Sequence, residues 1–328
     1  MSTFGLVRGA AVLRKSLGLL GAAALLAACG GGSQLVPFEA QRVLVFGDEI
    51  SVITANGRKY SVNAVLADNV TFDCANNPIW VQTVANAFGL VFPECNPSNV
   101  AAPRSRILAA PGAKVADLQA QVTAHLASDT FGDKDLVTML VGQNDVLAIY
   151  AQYPTITVAQ AREQAEAAGA ALAVQVNRVA DLGGKVLLGK VLDLGQTPFG
   201  LAEKADPNKQ DTDRAALLST LAARFNARLR VDIQNDGRKI GLVQTDERIQ
   251  NVVSFAGDFG FTNVTQAACL PSVALPDCTS QTLTTTPDSN GNLAGANSWL
   301  WADSLRLSAG GQFRLGEIGA SVARNNPF

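Results

Sequence analysis

The stretch Val43-Leu44-Val45-Phe46-Gly47-Asp48-Glu49-Ile50-Ser51 is a short apolar run that breaks at Gly-Asp. Such a run reads as a buried strand of an α/β sheet, ending in a tight turn from which a turn or helix starts. Ligands of open α/β sheets bind in the crevice outside the carboxyl ends of the strands. Gly47, Asp48 and Glu49 are therefore the first residues to consider for a functional site.

Outward from this strand (Arg42–Phe46), the pattern alternates. Asn56-Gly57 sits between Ser51–Thr54 and Lys59–Val65 as a hairpin turn or small excursion. Asn77-Pro78 opens a helix in which Ile79, Trp80, Val84, Ala87 and Phe88 recur at helical spacing, and Gly89 ends it. The surrounding piece, 73–110, is rich in Asn, Pro and Cys and reads as a disulfide-braced loop region over one end of the sheet. Asp117–Ala127 is a helix. Asp135–Val141 is nearly all apolar, as suits a parallel strand covered on both faces. Helices over 158–182, 212–235 and 308–323 and strands over 185–191 and 239–243 follow. Alternating strands and helices predict a parallel sheet sandwiched between helical layers. No linker interrupts 39–328, so this span reads as one domain.

The chain has 328 residues, 48% hydrophobic and 16% charged, with net charge −2. That length suits one large α/β domain or two small ones, and that charge offers no basic surface for nucleic acid. No internal apolar run is long enough to cross a membrane. Residues 1–28 read as a targeting segment: Arg8, Arg14 and Lys15 precede an apolar run that ends Leu26-Ala27-Ala28-Cys29. The last four resemble a bacterial lipobox, with cleavage before Cys29, acylation of that cysteine and a flexible tether over 29–38. Gly30 after the cysteine, by resemblance to enteric sorting rules, implies the outer membrane of a Gram-negative bacterium. The expected partner of this segment is thus a lipid bilayer, to which the domain is tethered without spanning it.

Cys74, Cys95, Cys269 and Cys278 remain, an even number that suggests two disulfides in an exported chain. Four cysteines allow three pairings, and the sequence does not select one. Cys74–Cys95 and Cys269–Cys278 are favoured because each closes a local, loop-rich segment; a loop of roughly 10–20 residues stabilises by about 2–4 kcal/mol. No CxxC spacing or neighbouring histidine supports a metal site, and no cofactor is expected.

Several pieces in order resemble the GDSL (SGNH) lipase/esterase family along nearly the whole mature chain. They are Phe46-Gly47-Asp48, the helix from Pro78, Gly112-Ala113-Lys114-Val115-Ala116-Asp117-Leu118, Gly142-Gln143-Asn144-Asp145, Asp193–Pro198, Phe259–Thr265 and Asp303-Ser304-Leu305-Arg306. The resemblance implies a flavodoxin-like three-layer α/β/α sandwich with a central parallel sheet. It also implies an ester-hydrolysing site, with Gly47, Asp48, Gly142 and Asp145 as motif support. Oxyanion donors would be the Glu49 backbone N–H, Gly112 and Asn144, and Asp303 would be the orienting acid.

Two positions depart from the family. Glu49 stands where its nucleophilic serine belongs, and Arg306 where its base histidine belongs. Guanidinium holds its proton at any working pH and accepts none. His125 is the chain's one histidine, and its helical position reads as a solvated surface residue. Glu49 is a poor acyl nucleophile, and its charge would sit where the oxyanion's should develop. Losing a triad nucleophile or base typically costs about a millionfold in turnover. Ser51, the remaining hydroxyl, is expected to serve the helix N-terminus.

Opposite charges at facing positions suggest a coupled change, a Glu49–Arg306–Asp303 ion network; breaking one such buried pair costs roughly 3–5 kcal/mol. The leading expectation is a catalytically degenerate, lipid-anchored envelope protein whose pocket takes a small acyl, ester or anionic ligand. The alternative is an active ester hydrolase using Ser51, or a water held by Glu49 and Asp303. Carboxylate-pair chemistry on a glycoside, with Glu49 and Asp303 or Asp48, would need carboxyl groups about 5–9 Å apart.

Overall fold

The computed structural model describes residues 37–328, so the expected signal segment, Cys29 and most of the tether lie outside the described residues. Five strands form the main sheet: β1 (Arg42–Gly47), β2 (Arg106–Ile107), β3 (Asp135–Leu140), β4 (Lys185–Gly189) and β5 (Ile240–Val243). All neighbours pair in parallel, in the spatial order β2-β1-β3-β4-β5. In this order the chain leaves β1 first to one side and then to the other. The carboxyl ends of β1 and β3 therefore flank the topological switch point, where ligands of such sheets bind.

The helices are α1 (Trp80–Asn86), α2 (Val115–Leu126), α3 (Gln143–Tyr150), α4 (Val158–Asp181), α5 (Pro198–Ala205), α6 (Arg214–Asp232), α7 (Thr245–Ser254) and α8 (Ala309–Asn325). Successive strand side chains point to opposite faces, and β1 and β3 feed two cores. Leu44, Phe46, Val137 and Met139 pack with α2, α3, α4 and α6, while Val43, Val45, Leu136 and Leu140 pack with α1, α7 and α8. Burying each such side chain contributes roughly 1.5–3 kcal/mol, which is why these strands read as continuous apolar runs.

Two small ribbons stand apart from this sheet: Ala64–Val65 pairs antiparallel with Phe72–Asp73, and Asn263–Ala267 pairs parallel with Trp299–Trp301. The latter delivers the segment carrying Asp303 and Arg306. At Asn56-Gly57 the excursion is a small turn, closed by an antiparallel bridge between Ile53 and Lys59. The disulfides are Cys74–Cys95 and Cys269–Cys278, with Cα separations of 5.6 and 6.0 Å.

Some expectations are corrected. The 73–110 region is not all loop, because Arg106–Ile107 is the sheet's edge strand; two residues are too few to show a period. Phe38, placed in the tether, is buried against Phe88 and Phe328. His125 is not solvated: it is buried, its ring meets Phe46 and Phe131, and its Nε2 has no hydrogen-bond partner. It lies on the face of α2 that covers β1, where its ring packs among aromatic neighbours.

Candidate functional site

The β1 strand ends at Gly47, whose φ is +132° and where a Cβ would lie 2.1 Å from the Leu140 carbonyl oxygen. Only glycine lets β1 and β3 approach so closely while the chain turns. The Gln121 side chain bridges the Gly47 N–H and carbonyl at 3.0 and 2.9 Å, fixing the turn. Asp48 then caps the 3-10 turn Glu49–Ser51, its carboxylate accepting from the Ile50 N–H. Burial, reinforced by the adjacent Glu49 charge, pushes the Asp48 carboxyl well above its usual range.

At the end of β3, Gly142 has φ +121°, and a Cβ there would meet the Phe225 ring at 2.4 Å. The turn leads directly into α3, so Asn144 and Asp145 project from its first turn. Asp145 accepts from the Val115 N–H at 3.0 Å, and the Asn144 amide donates to the Ala113 carbonyl at 3.1 Å. Together they pin the segment entering α2 and aim the Gly112 N–H at the cleft.

The Glu49 side chain is 2% exposed. Its Oε2 accepts from the Gly112 N–H at 2.9 Å and from Asn144 Nδ2 at 3.0 Å. Its Oε1 accepts from Arg306 Nη2 at 2.8 Å and Nε at 3.2 Å. On the far side, Arg306 Nη1 donates to Asp303 Oδ2 at 3.1 Å, and Asp303 Oδ1 takes the backbone N–H groups of Leu305 and Arg306. The expected Glu–Arg–Asp network is present, and it does more than pair charges. One Glu49 oxygen is held by the Gly112 N–H and the Asn144 amide, the two donors that the family resemblance assigns to an oxyanion.

Burial opposes ionisation of Glu49, but the Gly112 N–H, the Arg306 charge, its own backbone N–H and the Asn144 amide outweigh it and hold its carboxyl below the usual value. Burial likewise opposes the Arg306 charge, and Asp303 and Glu49 overcome it. The linkage has a definite sign. Because Glu49 is depressed in the fold, its stabilisation is complete above the ordinary value of 4.5 and is lost as pH falls through the folded value. Glu49→Gln turns one accepting oxygen into a donor facing Arg306, so it should be less stable than wild type at neutral pH. That gap should narrow as the medium is acidified below 4.5; urea melts of both proteins across this range are the check, and a constant gap would contradict the assignment.

Ser51 does not serve a helix N-terminus. It is fully buried, its Oγ accepts from the Trp80 indole N–H at 3.0 Å, and the cap is Asp48. Gln312, also fully buried, accepts from the Trp80 N–H and donates to the Ile50 carbonyl, tying α8 and α1 to the Glu49 turn. Sequence reasoning missed Trp80, Gln121 and Gln312 as site supports, because polar partners across elements have no local pattern. No group of three or more His, Cys, Asp or Glu among the described residues is placed to hold a metal ion.

Chemically, the site holds its own Glu49 carboxylate firmly and offers little to move a proton. Both Glu49 oxygens and both Asp303 oxygens are engaged, and Arg306 accepts nothing.

A family model described as GDSL-like lipase/acylhydrolase matches residues 43–291. A phosphatidylcholine-sterol acyltransferase of Aeromonas hydrophila is 31% identical over 171 residues, covering 50% of this chain and 48% of that protein. The chain thus spans about half the length of this curated relative. Among solved structures, a lipase from a goat rumen metagenome aligns over 88% of this chain and 99% of its own at 11% identity and TM-score 0.46. An acetylxylan esterase from Geobacillus stearothermophilus aligns over 88% and 96% at 14% identity and TM-score 0.40.

Proposed function

Because the chain belongs to the GDSL-like lipase/acylhydrolase family, we propose that it is a catalytically degenerate member that acts by binding. The observation that carries this reading is the Glu49 carboxylate lodged on the Gly112 and Asn144 donors and locked there by Arg306. An ester carbonyl entering the cleft finds the Gly112 and Asn144 donors occupied, no serine at position 49 and no imidazole at position 306. Acyl transfer needs each of these.

The purified mature protein is expected to leave p-nitrophenyl acetate and butyrate unhydrolysed and to escape labelling by a fluorophosphonate probe. Turnover that disappears in Ser51→Ala would overturn the reading in favour of an active esterase. Nothing in the geometry favours that alternative, since Ser51 is buried against Trp80 and each Glu49 oxygen already accepts two hydrogen bonds. The glycoside reading is disfavoured for the same reason, as Glu49 and Asp303 share Arg306.

We further propose that the protein is exported and anchored through acylated Cys29 to the outer membrane. The two disulfides support an oxidising compartment. Cys29→Ser should move the protein from the membrane fraction to the soluble fraction on cell fractionation, and retention in the membrane would reject the anchor.

A further inference from the structure

A cavity of about 410 Å³ opens against Arg306 and Asp303 but is not lined by Glu49, Gly112 or Asn144. We propose that it binds an uncharged molecule with an apolar body and one hydrogen-bond-accepting head, and that it discriminates against the corresponding carboxylate. This inference rests on the reading that the cleft binds without turnover, and it names the ligand class.

The walls come from Leu270, Val273 and Leu275, on a segment stapled by Cys269–Cys278. An apolar wall held in place by a covalent bridge lowers the ordering cost of binding. The volume lies within the usual pocket range of about 300–1,000 Å³, at its smaller end. The polar end is formed by Arg306 and Tyr60, and Tyr60 lies near enough to Arg306 and Glu49 to feel both charges.

Arginine carries five N–H donors, and Glu49 and Asp303 engage three of them in this chain, leaving two. Those two N–H groups and the Tyr60 hydroxyl can donate to a carbonyl oxygen. Charge then selects between heads. Glu49 and Asp303 contribute two negative charges against the single positive charge of Arg306, so the site is already one charge negative. A carboxylate adds like charge to that excess, whereas an amide or ketone does not. The presence of an arginine therefore does not by itself make this an anion site, and among the acyl, ester or anionic ligands suggested by the sequence the proposal favours an uncharged one.

Calorimetric titration of the mature wild-type protein with octanamide and with sodium octanoate at neutral pH tests the proposal. Octanamide should bind, and octanoate should bind about tenfold or more weakly. Val273→Trp, which fills the cavity, should abolish octanamide binding, and Tyr60→Phe should weaken it about fivefold, the worth of one hydrogen bond. Octanoate binding as tightly as octanamide, no octanamide binding, or an unaffected Val273→Trp would each overturn it. If Val273→Trp does not fold, Tyr60→Phe and the two wild-type titrations still decide. Hydrolysis of p-nitrophenyl octanoate alongside intact octanamide binding would defeat the degenerate reading and spare this one. Silence on that ester without octanamide binding would do the reverse.

Discussion

Glu49→Ser combined with Arg306→His is expected to give a protein that hydrolyses p-nitrophenyl acetate at least about a hundredfold faster than wild type, part of the roughly millionfold that a complete triad supplies. Removing the Glu49 carboxylate frees the Gly112 N–H and the Asn144 amide, both already anchored by contacts that the change does not touch. An imidazole at position 306 inherits the acid that now supports the guanidinium, since Asp303 bonds both the backbone N–H and the side chain of that residue. Glu49→Ser alone should remain silent, because the neighbouring guanidinium cannot accept the serine proton. Initial rates for the two single changes and the pair, with burst titration to count acylated sites, give the comparison. A folded double variant with no activity would mean that the Gly112 and Asn144 donors do not form a working oxyanion hole.

The second large effect lies away from the cleft. Lys59→Met should lower stability by about 3–5 kcal/mol, roughly 10 °C in Tm for a chain of this size. Lys59 is completely buried, and its ammonium donates to the carbonyls of Cys74, Asn76 and Asn77 at 3.1, 2.7 and 2.9 Å. Burial pulls its pKa down to about 8, so the group still carries its charge at neutral pH. Met fills similar volume without a donor. The Cys74 carbonyl keeps the Gln82 amide as a partner, but the carbonyls of Asn76 and Asn77 lose the ammonium. Those residues lead into α1, whose Trp80 holds Ser51, so the loosening reaches the Glu49 turn. Thermal melts under non-reducing conditions would show this, and a shift under about 2 °C would mean the cage is incidental.

How far this arrangement was legible from the chain depends on the range of each signal. Strands β1, β3, β4 and β5 are apolar runs buried on both sides, and their composition marks them out. The long helices carry a regular period, and the start of α8 is marked by Ser308, which caps it. Helix α3 was hidden, because Gly142-Gln143-Asn144-Asp145 reads as a turn and the residues after it merely continue it. His125 and Ser51 misled for one reason: a polar side chain can be buried when a distant ring or indole receives it, and no neighbour in sequence announces that partner.

Residue identity was enough to point to the family and to put opposite charges, Glu49 and Arg306, where its motifs lead one to expect a hydroxyl and an imidazole. Where the new carboxylate points was a matter for three dimensions. Glu49, Gly112, Asn144 and Arg306 are far apart along the chain, and they meet because the parallel sheet brings the carboxyl ends of β1 and β3 together beneath the Asp303 segment. The glutamate side chain is long enough to turn back onto the Gly112 and Asn144 donors, and the guanidinium across the cleft neutralises it there. That distance and direction come from packing between layers, which no local pattern of residues encodes.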